Sequence, residues 1–220
     1  MLRHGGEDDR RQAEQPPVAR YVSETGQSFV FDRTIRERAM LRFEGSAEVW
    51  VLSAQYAPRG DILYKNDLGR TMVRMTRVGG LTVFTSERPD GAAAAAAGPS
   101  APLKLTVLSP GQLFKVLTVA SSRASHAAQR LIPVEAPVVT PESSALVGDA
   151  ALVAAEAIVR LSRRGDGRAL LARVSKIEII DGPRPGVFLD GGELKVIVTP
   201  SLYLSGRPSS DRICYVVGAR

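Results

Sequence analysis

Glu142, Asp149, Glu156 and Arg163 recur at seven-residue intervals, which on a helix aligns them along one stripe. Arg123, His126 and Arg130 share a face of the preceding helical segment. A carboxylate-held imidazole moves protons near neutral pH, so His126 with Glu156 or Asp149 is the acid–base constellation this chain offers. The competing reading, which is favoured, is a solvated helical face with interhelical ion pairs; such pairs contribute little when exposed. A second group is the polar stretch Gly206-Arg207-Pro208-Ser209-Ser210-Asp211-Arg212. There the guanidinium forks of Arg207 and Arg212 could hold an anionic group beside the hydroxyls of Ser209 and Ser210 and the carboxylate of Asp211. Ser209, Ser210 and Asp211 also suit a turn that satisfies its own backbone, and that use is favoured.

Other reaction chemistries find no support. The chain lacks G-x-S-x-G, H-E-x-x-H, S-x-x-K, a P-loop and a strand-borne G-x-G-x-x-G, so the standard catalytic families are disfavoured. His4 falls in a polar lead-in, leaving His126 as the one histidine of the body; no metal site and no cofactor are expected. Cys214 is the single cysteine, which excludes an internal disulfide and leaves the redox compartment open. It lies in an apolar stretch read as a strand, where a packed, inert thiol is expected.

Composition narrows the partners. Lys and Arg number 29 against 23 Asp and Glu, giving a formal net charge of +6. Only five of those bases are lysine, and they are scattered without an aromatic platform, so nucleic acid is an unlikely partner. A small anionic ligand or another protein remains. No run reaches the roughly 18 to 20 apolar residues of a bilayer span, and neither helix joins a bulky apolar face to a lysine-rich one; a soluble chain is expected. No apolar segment of a secretory signal is visible over Met1 to Pro17.

The elements that must position these groups are those of an α+β fold. Residues 1–19 read as a disordered or extended lead-in, and 20–220 as a single α+β domain. Tyr21–Ser23 with Ser28–Asp32, Met40–Glu44 with Glu48–Gln55, and Asp61–Lys65 with Thr71–Arg77 alternate like paired strands around turn residues, and Leu81–Thr85 continues the meander. Residues 87–102, with six alanines between Gly and Pro, predict a flexible surface loop. Ser109-Pro110 with Gln112 predicts a capped helix over about 110–131, and Thr140-Pro141 with Glu142 a second over about 141–164. Their apolar stripes are Leu113, Leu117, Ala120, Ala124, Ala127, Leu131 and Leu146, Ala150, Val153, Ala157, Leu161. A short connection makes them antiparallel neighbours, the two central helices of the fold. Strands are expected again over 172–180, 186–189, 193–199, 202–204 and 212–217, in a fold expected to hold about ten short strands, mostly antiparallel.

Several segments carry a family resemblance: 43–50 (FEGSAEVW), 59–69 (RGDILYKNDLG), 79–85 (GGLTVFT), 123–133 and 206–213. Across about 18–218 the chain resembles an alphaproteobacterial family catalogued as domain of unknown function 4908. The resemblance implies a single domain in proteins that often begin with an export signal, hence periplasmic residence, with the cytoplasm as the alternative; it transfers no chemistry. Function is therefore unknown from sequence. The favoured expectation is a non-enzymatic binding or structural module of the bacterial cell envelope, and the alternative is an enzyme of unfamiliar type using His126 with Glu156 or Asp149.

Overall fold

The computed structural model describes residues 16–35 and 38–219. Of the lead-in expected over 1–19, residues 1–15 lie outside the described residues, while Val18 and Ala19 already belong to the first strand. The chain divides into two compact units, Met1–Leu103 and Lys104–Arg220. The span 20–220, expected as one α+β domain, thus contains two clusters of buried apolar residues, one in each unit.

The first unit is a closed antiparallel barrel rather than an open meander. Its strands run in chain order: β1 Val18–Ser23, β2 Ser28–Ile35, β3 Arg38–Phe43, β4 Trp50–Tyr56, β5 Ile62–Lys65, β6 Thr71–Met75, β7 Leu81–Val83 and β8 Ala92–Pro99. The hairpins fall where alternation and turn residues put them, with Gly26, Gly45 and Gly69 at positive φ in the β1–β2, β3–β4 and β5–β6 connections. The alanine run corrects the expected flexible loop over 87–102: Ala92 to Ala94 pair with Val83 to Leu81 on one side, and Ala94 to Ala96 with Ser23 to Tyr21 on the other. Alanine prefers helix by only a few tenths of a kcal/mol over typical residues. Here two ladders of backbone hydrogen bonds and the removal of both sheet edges outweigh that preference.

Eight strands enclose an interior that side chains can just fill, and aromatic rings fill much of it. Tyr21 stacks on Phe29 at 5.6 Å between centroids, and Phe31 meets Tyr64 edge-on at 5.0 Å. Leu41, Leu52, Val73 and Val83 complete the interior, and Trp50 is 7% exposed. Buried Asp32 accepts hydrogen bonds from the Thr34 backbone and hydroxyl and from the Leu103 backbone, so no lone acceptor is stranded in the wall.

The second unit is built around one helix. It comprises α1 Pro110–Ala128, β9 Val134–Glu135, α2 Ser144–Ser162, α3 Gly167–Ala172, β10 Lys176–Asp181, β11 Gly186–Asp190, β12 Glu193–Val198, a 3₁₀ segment Pro200–Gly206 and α4 Ser210–Gly218. The sheet order is β11-β12-β10-β9, with β10 parallel to β12 and β9, and β11 antiparallel to β12. α2 is buried well beyond its expected stripe, at Val147, Ala151, Ala154, Ala155 and Ile158 as well, because α1, α3, α4, β10 and β12 all pack on it. A helix apolar nearly all round belongs at the centre, so this unit has one central helix with α1 laid against it, not two.

Boundaries differ for local reasons. α1 keeps its capping box, with Ser109 and Gln112 bonded reciprocally, but ends at Ala128 and not 131 because Gln129 takes the left-handed conformation at φ 55. Thr140 and Ser143 bond each other's backbone and delay α2 to Ser144. The strand expected over 172–180 starts only at Lys176, as β10, because α3 runs through Ala172. The expected strands over 202–204 and 212–217 are absent: the first is 3₁₀, and the second is α4, capped by the Ser209 hydroxyl on the Arg212 amide. The apolar stretch around Cys214 is a helical i, i+4 pair, Ile213 and Val217, both wholly buried.

Two outcomes are expected from these features. A Cβ on Gly206 would stand 2.0 Å from the Thr199 carbonyl oxygen, so Gly206→Ala should lose at least about 2 kcal/mol of stability, read by urea denaturation followed at the helical circular dichroism band. Burial pushes the phenols of Tyr21 and Tyr64 above their ordinary 10.0, with Arg33 partly opposing. A raised folded value means the contribution is intact below pH 10 and is lost as pH climbs through the folded value. Ultraviolet pH titration should show two late phenolate transitions, and denaturation above pH 10 a progressively weaker barrel.

Candidate functional site

The helical constellation is divided among separate partners. Arg123 on α1 donates from Nη2 to Glu156 Oε2 on α2 at 2.6 Å. His126, one turn further along α1, is exposed and lines a shallow depression of about 420 Å³ with Arg123, Gln129, Val159 and Ser162. Asp149, two turns before Glu156, is claimed by Arg207, Nε to Oδ2. The structure thus brings Glu156 to Arg123 and Asp149 to Arg207, and neither carboxylate hydrogen-bonds the His126 imidazole. Arg130 donates to the carbonyls of Leu171, at the end of α3, and of Val174 just beyond it.

The stretch from Gly206 to Asp211 is buried throughout. Its cations and anions face α2: Arg207 and Asp149 side chains are 2% and 9% exposed, and Arg160 reaches Ser210 Oγ and Asp211 Oδ1, both at 2.5 Å. Ser209 caps α4 on the Arg212 amide at 3.1 Å. Of the five residues marked for an anionic ligand, Arg207, Ser210 and Asp211 bind α2 side chains, while Ser209 and Arg212 form the cap. The half-buried Cys214 thiol points to the Ala157 carbonyl at 3.6 Å. Among the described residues no group of three or more His, Cys, Asp or Glu side chains could hold a metal ion, and no helix is long and apolar enough to cross a membrane.

A different cleft, of about 820 Å³, lies in the barrel unit. The turn Pro58–Gly60 brings Arg59 and then Asp61 to it; Arg70 comes from the turn just before β6, Thr71 and Arg74 from β6 itself; Phe84, Ser86 and Pro89 come from the chain after β7. Arg59 holds φ 72 and Gly60 φ 82, a left-handed pair that a non-glycine residue enters at a cost. Asp61, 9% exposed, accepts both Nε (2.8 Å) and Nη2 of Arg74 on one oxygen. That pair fixes the Arg74 guanidinium while leaving half of the side chain open to solvent. Gly91, at φ 88, lets its turn lie against Phe84, since a Cβ there would fall 2.8 Å from the ring. The lining therefore carries three guanidinium groups against one carboxylate, with Leu63, Phe84, Pro58 and Pro89 as apolar walls.

Sequence reasoning missed this cleft because its cations are spread over residues 59–74 and converge only through the pairing of β5 with β6, which sets Leu63 opposite Arg74. The available signal was the turn: Pro58-Arg59-Gly60-Asp61 before a strand.

The sequence matches the family model described as domain of unknown function (DUF4908) over residues 1–217. No curated protein and no solved structure matches it.

The buried Arg207–Asp149 pair makes a sharp prediction. Removing one partner strands a buried charge, so Asp149→Ala should cost about 3–5 kcal/mol, whereas Asp149→Leu combined with Arg207→Met should recover most of that loss; urea denaturation of the three proteins measures it.

Proposed function

We propose, for a chain that belongs to the family described as domain of unknown function (DUF4908), a non-enzymatic role as a binding module whose barrel cleft receives a small anionic ligand. The observation that carries this reading is the convergence of Arg59, Arg70 and Arg74 on one concave surface with a single carboxylate among them. Clefts of about 300–1,000 Å³ suit small molecules, and this one lies within that range. Guanidinium forks match carboxylate and phosphate oxygens in pairs. Arg74 is held in place by Asp61 before any ligand arrives, and a donor already oriented loses less freedom on binding.

A binding role is favoured over a catalytic one by the same lining. It includes the hydroxyls of Thr71 and Ser86 but no imidazole or thiol to activate them, and its carboxylate is engaged by Arg74. An envelope setting for the module rests on the family resemblance alone.

Calorimetric titration with benzoate tests the reading. Saturable binding that weakens with added salt is expected. Arg59→Gly keeps the left-handed turn accessible and removes one guanidinium; with Arg70→Ala it should lower affinity at least about tenfold, the value of losing a charge-assisted contact. No saturable binding of benzoate or of any other small organic anion, or equal affinity in the double variant, would overturn it.

A further inference from the structure

Resting on the reading of the barrel cleft as an anion receptor, we infer that its ligand is an organic oxyanion whose acidic group is carried on an apolar ring, the acid held by Arg74 and the ring laid against Phe84. The strand register places these two side chains on one surface. Val73 and Val83 belong to the buried interior of the barrel, so Arg74 and Thr82, which alternate with them, face outward. Arg74 stands between Leu63 on β5 and Thr82 on β7. Phe84 follows Thr82 by two residues, and its amide still donates to the Met72 carbonyl at 2.8 Å. The ladder therefore continues past β7, and Phe84 joins the same outer face in the position diagonal to Arg74. Diagonal neighbours on adjacent strands lie about 7–8 Å apart, a span that a ring with an acid attached can cover.

The free edge of Arg74 defines the head of the ligand. Of the guanidinium N–H groups, Asp61 Oδ2 takes one from Nε and one from Nη2, which form the side-on edge. The end-on edge, made by Nη1 and the second hydrogen of Nη2, is left for another acceptor, and half of the side chain is open to solvent. Two parallel N–H groups on a planar fork match two oxygens of a single acidic group.

Phe84 defines the body. A Cβ on Gly91 would fall 2.6 Å from Thr82 Cγ2 and 2.8 Å from Phe84 Cε1, so the turn that leads into β8 packs on both residues and braces the ring. Among the described residues no aromatic or cationic side chain stacks on Phe84, and it lines the cleft with Leu63, Pro58 and Pro89. A hydrated ion without a carbon body gains nothing from that surface. An apolar ring removes it from water and stacks on the phenyl group.

Titration calorimetry of the full chain with benzoate, acetate and benzamide separates head from body, since acetate keeps the acid without the ring and benzamide the ring without the charge. Benzoate should bind at least about tenfold more tightly than either, the value of one ring's apolar surface or of one charge-assisted fork. Phe84→Ala should bring benzoate down towards acetate, and Phe84→Leu, which keeps an apolar side chain, should fall between them; the thermal transition of each variant checks that the fold is kept. Arg74→Lys, which retains the charge beside Asp61 and loses the fork, should weaken benzoate severalfold. Benzoate no tighter than acetate, or unchanged in Phe84→Leu, would sink the ring assignment while the anion receptor stands. Unchanged benzoate affinity in Arg74→Lys would remove the fork as the seat of the acid. If benzamide matches benzoate, or none of the three saturates, the receptor reading falls with it.

Discussion

Closure of the barrel through β8 is the constraint on which the cleft depends. Without the double pairing of the alanine strand to β1 and β7, two edges would lie open and the chain from Phe84 to Gly91 would be anchored only at its β7 end. With it, the segment that follows β7 is tied down within a few residues on both sides, and Phe84 and Pro89 are held at the cleft that the turn Pro58–Gly60 also lines. Alanine is suited to this task because it satisfies both ladders while adding almost no bulk. Much of the interior volume is then left to Tyr21, Phe29, Phe31 and Tyr64, whose rings are bulky enough for the interior of an eight-stranded barrel.

The second unit solves a different problem. A helix buried nearly all round has few positions for charge, yet α2 carries Asp149, Glu156 and Arg160. Each is met by an opposite charge: Arg207, Arg123 and Asp211 respectively. Two of those partners sit in the stretch Arg207 to Asp211, which Gly206 allows to pass within touching distance of Thr199. The polar residues there act as a clasp between α2 and α4, and the energetic weight lies in not leaving one partner alone, since a lone charge in such surroundings is far costlier than the pair is beneficial.

How much of this was legible in the sequence depends on the range of the information. Hairpins β1–β2, β3–β4 and β5–β6, the capping box of α1 and the existence of α2 are local, and their residues declare them. The alanine strand is not local: nothing within 92–97 distinguishes strand from helix or loop, and its partners outside the run decide, in β7 on one side and far back along the chain in β1 on the other. α4 is the opposite case: Ile213-Cys214-Tyr215-Val216-Val217 favours strand by composition, while the Ser209 cap and the i, i+4 burial of Ile213 and Val217 prevail. For the sites, the residues singled out at Asp149, Glu156, Arg207, Ser210 and Asp211 are indeed places where charge converges, but spacing could not tell that they converge on arginines or from arginines inward. The arginines of the cleft drew no notice, being divided between a turn and a strand.

The chain's sole tryptophan has a practical bearing of its own. Trp50 lies in β4 within the apolar interior of the barrel, where water scarcely reaches it, and every long helix belongs to the other unit. Indole emission is therefore an intrinsic optical label for one half of the polypeptide alone, and a spectroscopist needs no engineered dye to follow that half separately.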